Sequence, residues 1–254
     1  EGAMKYHIDT IPVWDAYHQE SECPLCILEH NLEKNYVESF LGASVMESDT
    51  RIQVNRSGFC PHHFKLLYDA QNRLGLALMT HTHLKELIGK FERQSKAVLD
   101  AAEQKSSSII DNIFGRNKDF SEALSEFEEW IITQHGQCLI CDRISNTMNR
   151  YAYTTLYLWD TDSEFKKTFN SSRGFCLNHL ALTIKIARET MSSKKQALWL
   201  ADVIPLQIKF FHNLDHELSL FINKFDYRKK DKPLGSAKDS LPRTLQKLTG
   251  KYMD

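Results

Sequence analysis

All six cysteines of this chain stand in two sets with one spacing, and that constrains its fold more than any other feature of the sequence. The first set is Cys23-Pro24-Leu25-Cys26 followed by Cys60-Pro61-His62-His63; the second is Cys138-Leu139-Ile140-Cys141 followed by Cys176-Leu177-Asn178-His179. Each reads C-x2-C and then C-x2-H, with 33 residues between the pairs in the first set and 34 in the second. The neighbours repeat as well. Gly58-Phe59-Cys60 matches Gly174-Phe175-Cys176, Tyr36 matches Tyr151, Asn55 matches Asn170, and Trp14 and Trp130 both lead into a C-x2-C pair. Such register implies an internal duplication.

Three thiolates and one imidazole are the ligand types of a closed tetrahedral metal site, and a C-x2-C and a C-x2-H pair each turn two ligand atoms toward one point. The expected ligands are therefore Cys23, Cys26, Cys60, His63, Cys138, Cys141, Cys176 and His179. Soft thiolates select zinc, copper(I) or iron–sulfur chemistry over magnesium or calcium. Zinc, two ions per chain, is the leading expectation, and an iron–sulfur cluster on the same ligands is the alternative. Sets that close on themselves give one site per half; exchange of pairs between the halves gives the same ligand types, and the spacing does not decide between them. His62 competes with His63 as a ligand, but the second set has Asn178 at that place, which favours His63. Redox dithiols are a poorer reading, because no βαβ pattern surrounds either C-x2-C pair and the C-x2-H partners would have no role.

With 10 Gly and 6 Pro among 254 residues, 42% hydrophobic and 26% charged, the chain reads as folded and mainly α. Leu28, Leu32, Tyr36 and Phe40 recur every four residues after Cys26, as expected of a helix. The reading places helices at 12–21 and 119–134, loops at 42–58 and 160–174, and long helices at 76–104 and 194–226, the latter containing Pro205. The expected organisation is a first Cys3His module at 4–103, a connector at 104–119, a second module at 120–226 and a basic tail at 227–254 with a short helix near 242–249. Glu1-Gly2-Ala3 reads as a tag remnant ahead of Met4. Without an apolar run of membrane length or a signal-peptide pattern, the expected location is cytoplasmic, with no membrane partner. A reducing compartment agrees with cysteines used as ligands.

Other residues carry weaker chemical signals. His212 and His216 share a helix face, and His81 and His83 lie on the first long helix; a cleft between the halves lined by these histidines would suit an enzyme or sensor. Arg228-Lys229-Lys230 and Lys232, with Tyr227 and Tyr252, are a candidate nucleic-acid contact, although the formal net charge of -1 shows no overall polyanion-binding field. Four protein ligands per metal leave no open position for substrate, so the sequence favours structural metals in a protein that binds another macromolecule or regulates one.

At Cys23-Pro-Leu-Cys26, Gly58-Phe-Cys-Pro-His-His63, Arg73-Leu-Gly-Leu-Ala-Leu-Met79 and Gly174-Phe-Cys176, the chain resembles an uncharacterised bacterial family, a domain of unknown function with paired CxxC and CxxH motifs. The resemblance runs from Met4 to the tail. It implies a shared cysteine pattern and carries no activity, substrate or partner.

Overall fold

A computed structural model describes residues 7–107, 120–225 and 234–251. Every regular element among the described residues is helical. The order is α1 His7–Tyr17, α2 Pro24–Leu41, a 3-10 turn at Ala43–Met46, α3 Ser48–Ser57, α4 Pro61–Asp69 and α5 Arg73–Ser107. There follow α6 Phe120–Gly136, α7 Leu139–Thr161, α8 Ser163–Ser171, α9 Leu177–Thr190, α10 Ser193–Asn223, a second 3-10 turn at Gly235–Ala237 and α11 Ser240–Thr249. Most of the expected connector, and the basic run at 228–232 with Tyr227 and Tyr252, lie outside the described residues.

The two stretches read as loops contain helices. α8 is held at its start by Asp162, whose carboxylate accepts hydrogen bonds from the Glu164 and Phe165 amides at 2.9 and 3.1 Å. It has one apolar pair, Phe165 and Phe169, at i and i+4, too short a pattern to register as a period. α3 buries only Thr50 and Val54, again one i, i+4 pair. The first helix begins ahead of Pro12, which reads by itself as a helix start. Between α4 and α5 Gln71 takes a positive φ of 68°, and the Asn72 side chain accepts from the Gly75 amide at 3.0 Å, capping α5.

The chain divides into two compact units, residues 1–32 with 144–254 and residues 33–143. This division differs from modules at 4–103 and 120–226: α2 and α7 each give residues to both units. In the first unit Trp199, Phe165, Phe169 and Phe175 are almost fully buried, and Trp14 and Tyr17 pack edge-on against Phe165 at 5.0 and 4.9 Å. In the second, Phe59 packs edge-on against Phe40 and Phe64 at 5.4 and 5.5 Å, and Leu67 and Met79 are fully buried. Phe59 and Phe175 are the residues next to Cys60 and Cys176, so each core anchors a ligand-bearing turn directly.

Candidate metal centres

The eight expected ligands meet as two groups of four, and each group draws on both sequence sets. Cys23, Cys26, Cys176 and His179 converge in the first unit, and Cys60, His63, Cys138 and Cys141 in the second, with the ligand atoms of each group within 4.8 Å of one another. The CxxC of one set thus closes with the CxxH of the other. All six thiols are unbridged.

The distances match a tetrahedron around one ion. Zinc–sulfur and zinc–nitrogen bonds of about 2.3 and 2.05 Å put sulfurs about 3.8 Å apart and sulfur about 3.5 Å from nitrogen. Cys60 and Cys141 Sγ are 3.8 Å apart. His63 Nδ1 lies 3.2, 3.2 and 3.4 Å from the sulfurs of Cys60, Cys138 and Cys141. His179 Nδ1 lies 3.4, 3.4 and 3.2 Å from those of Cys23, Cys26 and Cys176. In both groups Nδ1 faces the sulfurs and Nε2 faces a carboxylate, Glu33 at 3.2 Å for His63 and Glu29 at 3.5 Å for His179. Such a carboxylate fixes the tautomer and strengthens the ligand. His62 stands outside the thiol group and contacts the same Glu33 at 2.8 Å.

Local structure explains the convergence. Cys60 and Cys176 are the N-cap residues of α4 and α9, with φ, ψ of -71°, 165° and -69°, 166°, so the histidine three residues on turns back over its own cysteine. Ahead of them Gly58 and Gly174 take positive φ of 62° and 77°. A Cβ at Gly58 would strike the His83 ring at 2.5 Å, and one at Gly174 would strike Gln207 Oε1 at 2.6 Å. His83 Nδ1 lies 2.9 Å from the Asn55 carbonyl. Gln207 holds both backbone groups of Phe175, accepting from its amide at 3.0 Å and donating to its carbonyl at 2.8 Å. His83 is therefore committed to the turn before Cys60, and none of His81, His83, His212 and His216 joins a close ligand group among the described residues.

The electrostatics of both groups suit a cation. Burial disfavours charge on His63, but the Cys138 thiolate and Glu33 outweigh it and hold the imidazolium up to about 10. His179 is held to about 11 against burial by Cys176 and Cys23. Burial pushes Cys138 up, yet His63 brings it down to about 6. Hydrogen bonds from Cys23 and Cys26 hold Cys176 well below the usual thiol range, while Cys26 is pushed far up by its bonds to Cys176 and Cys23. A proton on the ring stands where a metal would bind, and a dication removes the need for it.

The surroundings of the first group hold residues that sequence reading missed. Glu22, beside Cys23 and 1% exposed, pairs with Arg173 at 2.9 Å and Arg243 at 3.1 Å. Lys247 is fully buried and donates to the carbonyls of Glu22, at 2.9 Å, and Arg173. Burial lowers its pKa, and Glu22 and the neighbouring thiols pull it back up. α11 ends at Gly250, φ 75°, whose carbonyl lies 3.3 Å from Cys26 Sγ and whose Cβ, if present, would lie 3.2 Å from Cys176 Sγ. Asn178 donates to the Thr249 carbonyl at 2.9 Å. The available signal was in the expected tail helix: Arg243 and Lys247 are four residues apart on one face, with a helix-ending Gly after them.

Fold and site define a helical protein with two Cys3His groups capable of holding a metal. The chain belongs to a family of unknown function, DUF6062, whose model matches residues 4–254. No curated protein and no solved structure matches it significantly.

Proposed function

We propose that the protein is a cytoplasmic zinc protein whose two metals are structural, and that it acts as a macromolecular interaction or regulatory module. The observation carrying this reading is that four protein ligands close around each centre at tetrahedral separations. A closed set holds elements together and has no coordination position for substrate. The shared N-cap geometry of Cys60 and Cys176, with a positive-φ Gly two residues before each, supports a duplicated origin. Zinc suits a sulfur-rich tetrahedron. Six unbridged thiols suit a reducing compartment, and no described helix is long and apolar enough to cross a membrane. A protein partner is supported by Leu200, Ile204 and Ile208, exposed at four-residue intervals on α10.

Metal analysis of the full chain with absorbance spectra tests the reading. Two zinc ions per chain and no visible absorption are expected. Iron with acid-labile sulfide, or less than one metal per chain after purification in excess zinc, would overturn it.

A further inference from the structure

The two centres differ in what flanks them. In the first unit the residues before the ligand turns, Glu22 and Arg173, are covered by Arg243 and Lys247 of α11. In the second unit the corresponding positions are Gln137, before Cys138, and Ser57, before Gly58. No described helix plugs them; they line an open cleft of about 570 Å³ formed by α3, α5 and α6 and the start of α7. Its size is in the range of small-molecule sites, roughly 300–1,000 Å³.

The cleft wall carries an excess of cations. Arg56, Lys90 and Arg93 line it against one carboxylate, Asp142. Lys90 is tied to Glu86 at 3.6 Å and to the Arg56 carbonyl at 3.5 Å. Arg56 and Arg93 have no carboxylate within ion-pair distance among the described residues. Unpaired guanidiniums brought into one concave site repel each other, and a bound oxyanion offsets that repulsion with bidentate, charge-assisted hydrogen bonds. Beside them are the Trp130 ring, backed by Phe127 at 5.8 Å, and the side-chain amide of Gln134, half-buried. A phosphate for the guanidiniums, a planar ring for the indole and hydrogen-bonding edges for the amides together describe one class of ligand. The positive charge is also confined: Glu128 and Glu129 on α6 are exposed, which disfavours a long polyanion.

We infer that this cleft binds a nucleoside phosphate. The site is independent of which metal the thiol groups hold. Because Leu139 donates to the Gly58 carbonyl at 3.1 Å, the two chain segments that line the cleft also join the second metal centre. A ligand gripping Ser57 and Gln137 therefore strengthens that centre by linkage.

The test is calorimetric titration of the full, metal-loaded chain with AMP, ATP, adenosine, inorganic phosphate, a poly-glutamate peptide and single-stranded oligonucleotide. One saturable site per chain is expected for a mononucleotide. Adenosine or phosphate alone should bind at least about tenfold more weakly. The Arg56→Gln/Arg93→Gln variant should lose about tenfold or more in affinity while keeping its metal content and melting temperature. Trp130→Phe should weaken AMP more than inorganic phosphate. No binding of any mononucleotide at millimolar concentration, equal affinity in the double variant, or tighter binding of the peptide or oligonucleotide would overturn the inference.

Discussion

The two metal centres share ligand types and turn geometry and differ in their cover. Around Cys23, Cys26, Cys176 and His179 every ligand is buried, and α11 closes the group with the Gly250 carbonyl and the buried Lys247 ammonium. Around Cys60, His63, Cys138 and Cys141, Cys141 is exposed and Cys60 is half-buried. With zinc bound as proposed, three thiolates would leave a net charge of -1 at each group. At the first, Lys247 lies close enough to offset that charge in a low-dielectric surrounding, where an unpaired ion is costly. At the second, water can reach the sulfurs and screen the charge. One ligand set thus supports a sealed centre and an open one, and the residues just outside the ligands decide which.

The largest effect should come from variants that test the exchange of pairs. Cys23→Ser with Cys176→Ser removes two ligands from one centre, so the protein should keep one metal per chain. Cys23→Ser with Cys60→Ser damages both centres and should leave none tightly bound, each loss being worth about 10 kcal/mol or more of folding free energy. Metal analysis and calorimetry of the two proteins give the answer; the reverse pattern would mean that each set closes on itself.

Next in size is Lys247→Met, which leaves Glu22 and the thiolates short of a buried cation. It should cost about 3–5 kcal/mol of stability by denaturant unfolding, with loss of metal from the first centre. An unchanged unfolding midpoint would mean that Lys247 does not balance the sealed group.

Chelator should remove the metals in two phases, the open centre about a hundredfold faster, equivalent to about 3 kcal/mol in local opening. With hydrogen peroxide the first zinc released should coincide with a Cys60–Cys141 disulfide, found by peptide mapping, while Cys23, Cys26 and Cys176 stay reduced. A single phase for both metals would dissolve the distinction between open and sealed.

The smallest contrast concerns the turns. Gln207→Ala leaves both buried backbone groups of Phe175 unpaired and should cost about 2–3 kcal/mol, while His83→Ala removes one half-buried contact and should cost about 1 kcal/mol. Equal costs in a denaturation series would show that the two turns are supported alike.

The sequence made the ligands legible because a cysteine pair has few other reasons to recur in register. It left their grouping open because spacing counts residues and ignores the stiffness between them. α2 is 18 residues long, about 27 Å at the usual helical rise. Phe59 packs on Phe40 and His63 faces Glu33, so the first CxxH lodges along the later part of that helix, seven to fourteen residues beyond Cys26. The helices were legible where four or more apolar residues kept a period, as after Cys26, and hidden where a helix buries a single i, i+4 pair, as in α3 and α8. Of the Glu22, Arg173, Arg243 and Lys247 network only the Arg243, Lys247 pair on the tail helix left a signal, because the members are scattered over 226 positions and each is an ordinary surface residue by type.

The crossing of pairs also sets a timetable for the ribosome. Cys23 and Cys26 emerge early and must wait for His179, 153 residues after Cys26, before their tetrahedron can be completed. At about 5–20 residues per second that delay is roughly 8–30 seconds. Cys60 and His63 are completed sooner, when Cys141 appears. The centre begun first is thus finished last, and α11, which seals it, follows His179 by a further 61 residues.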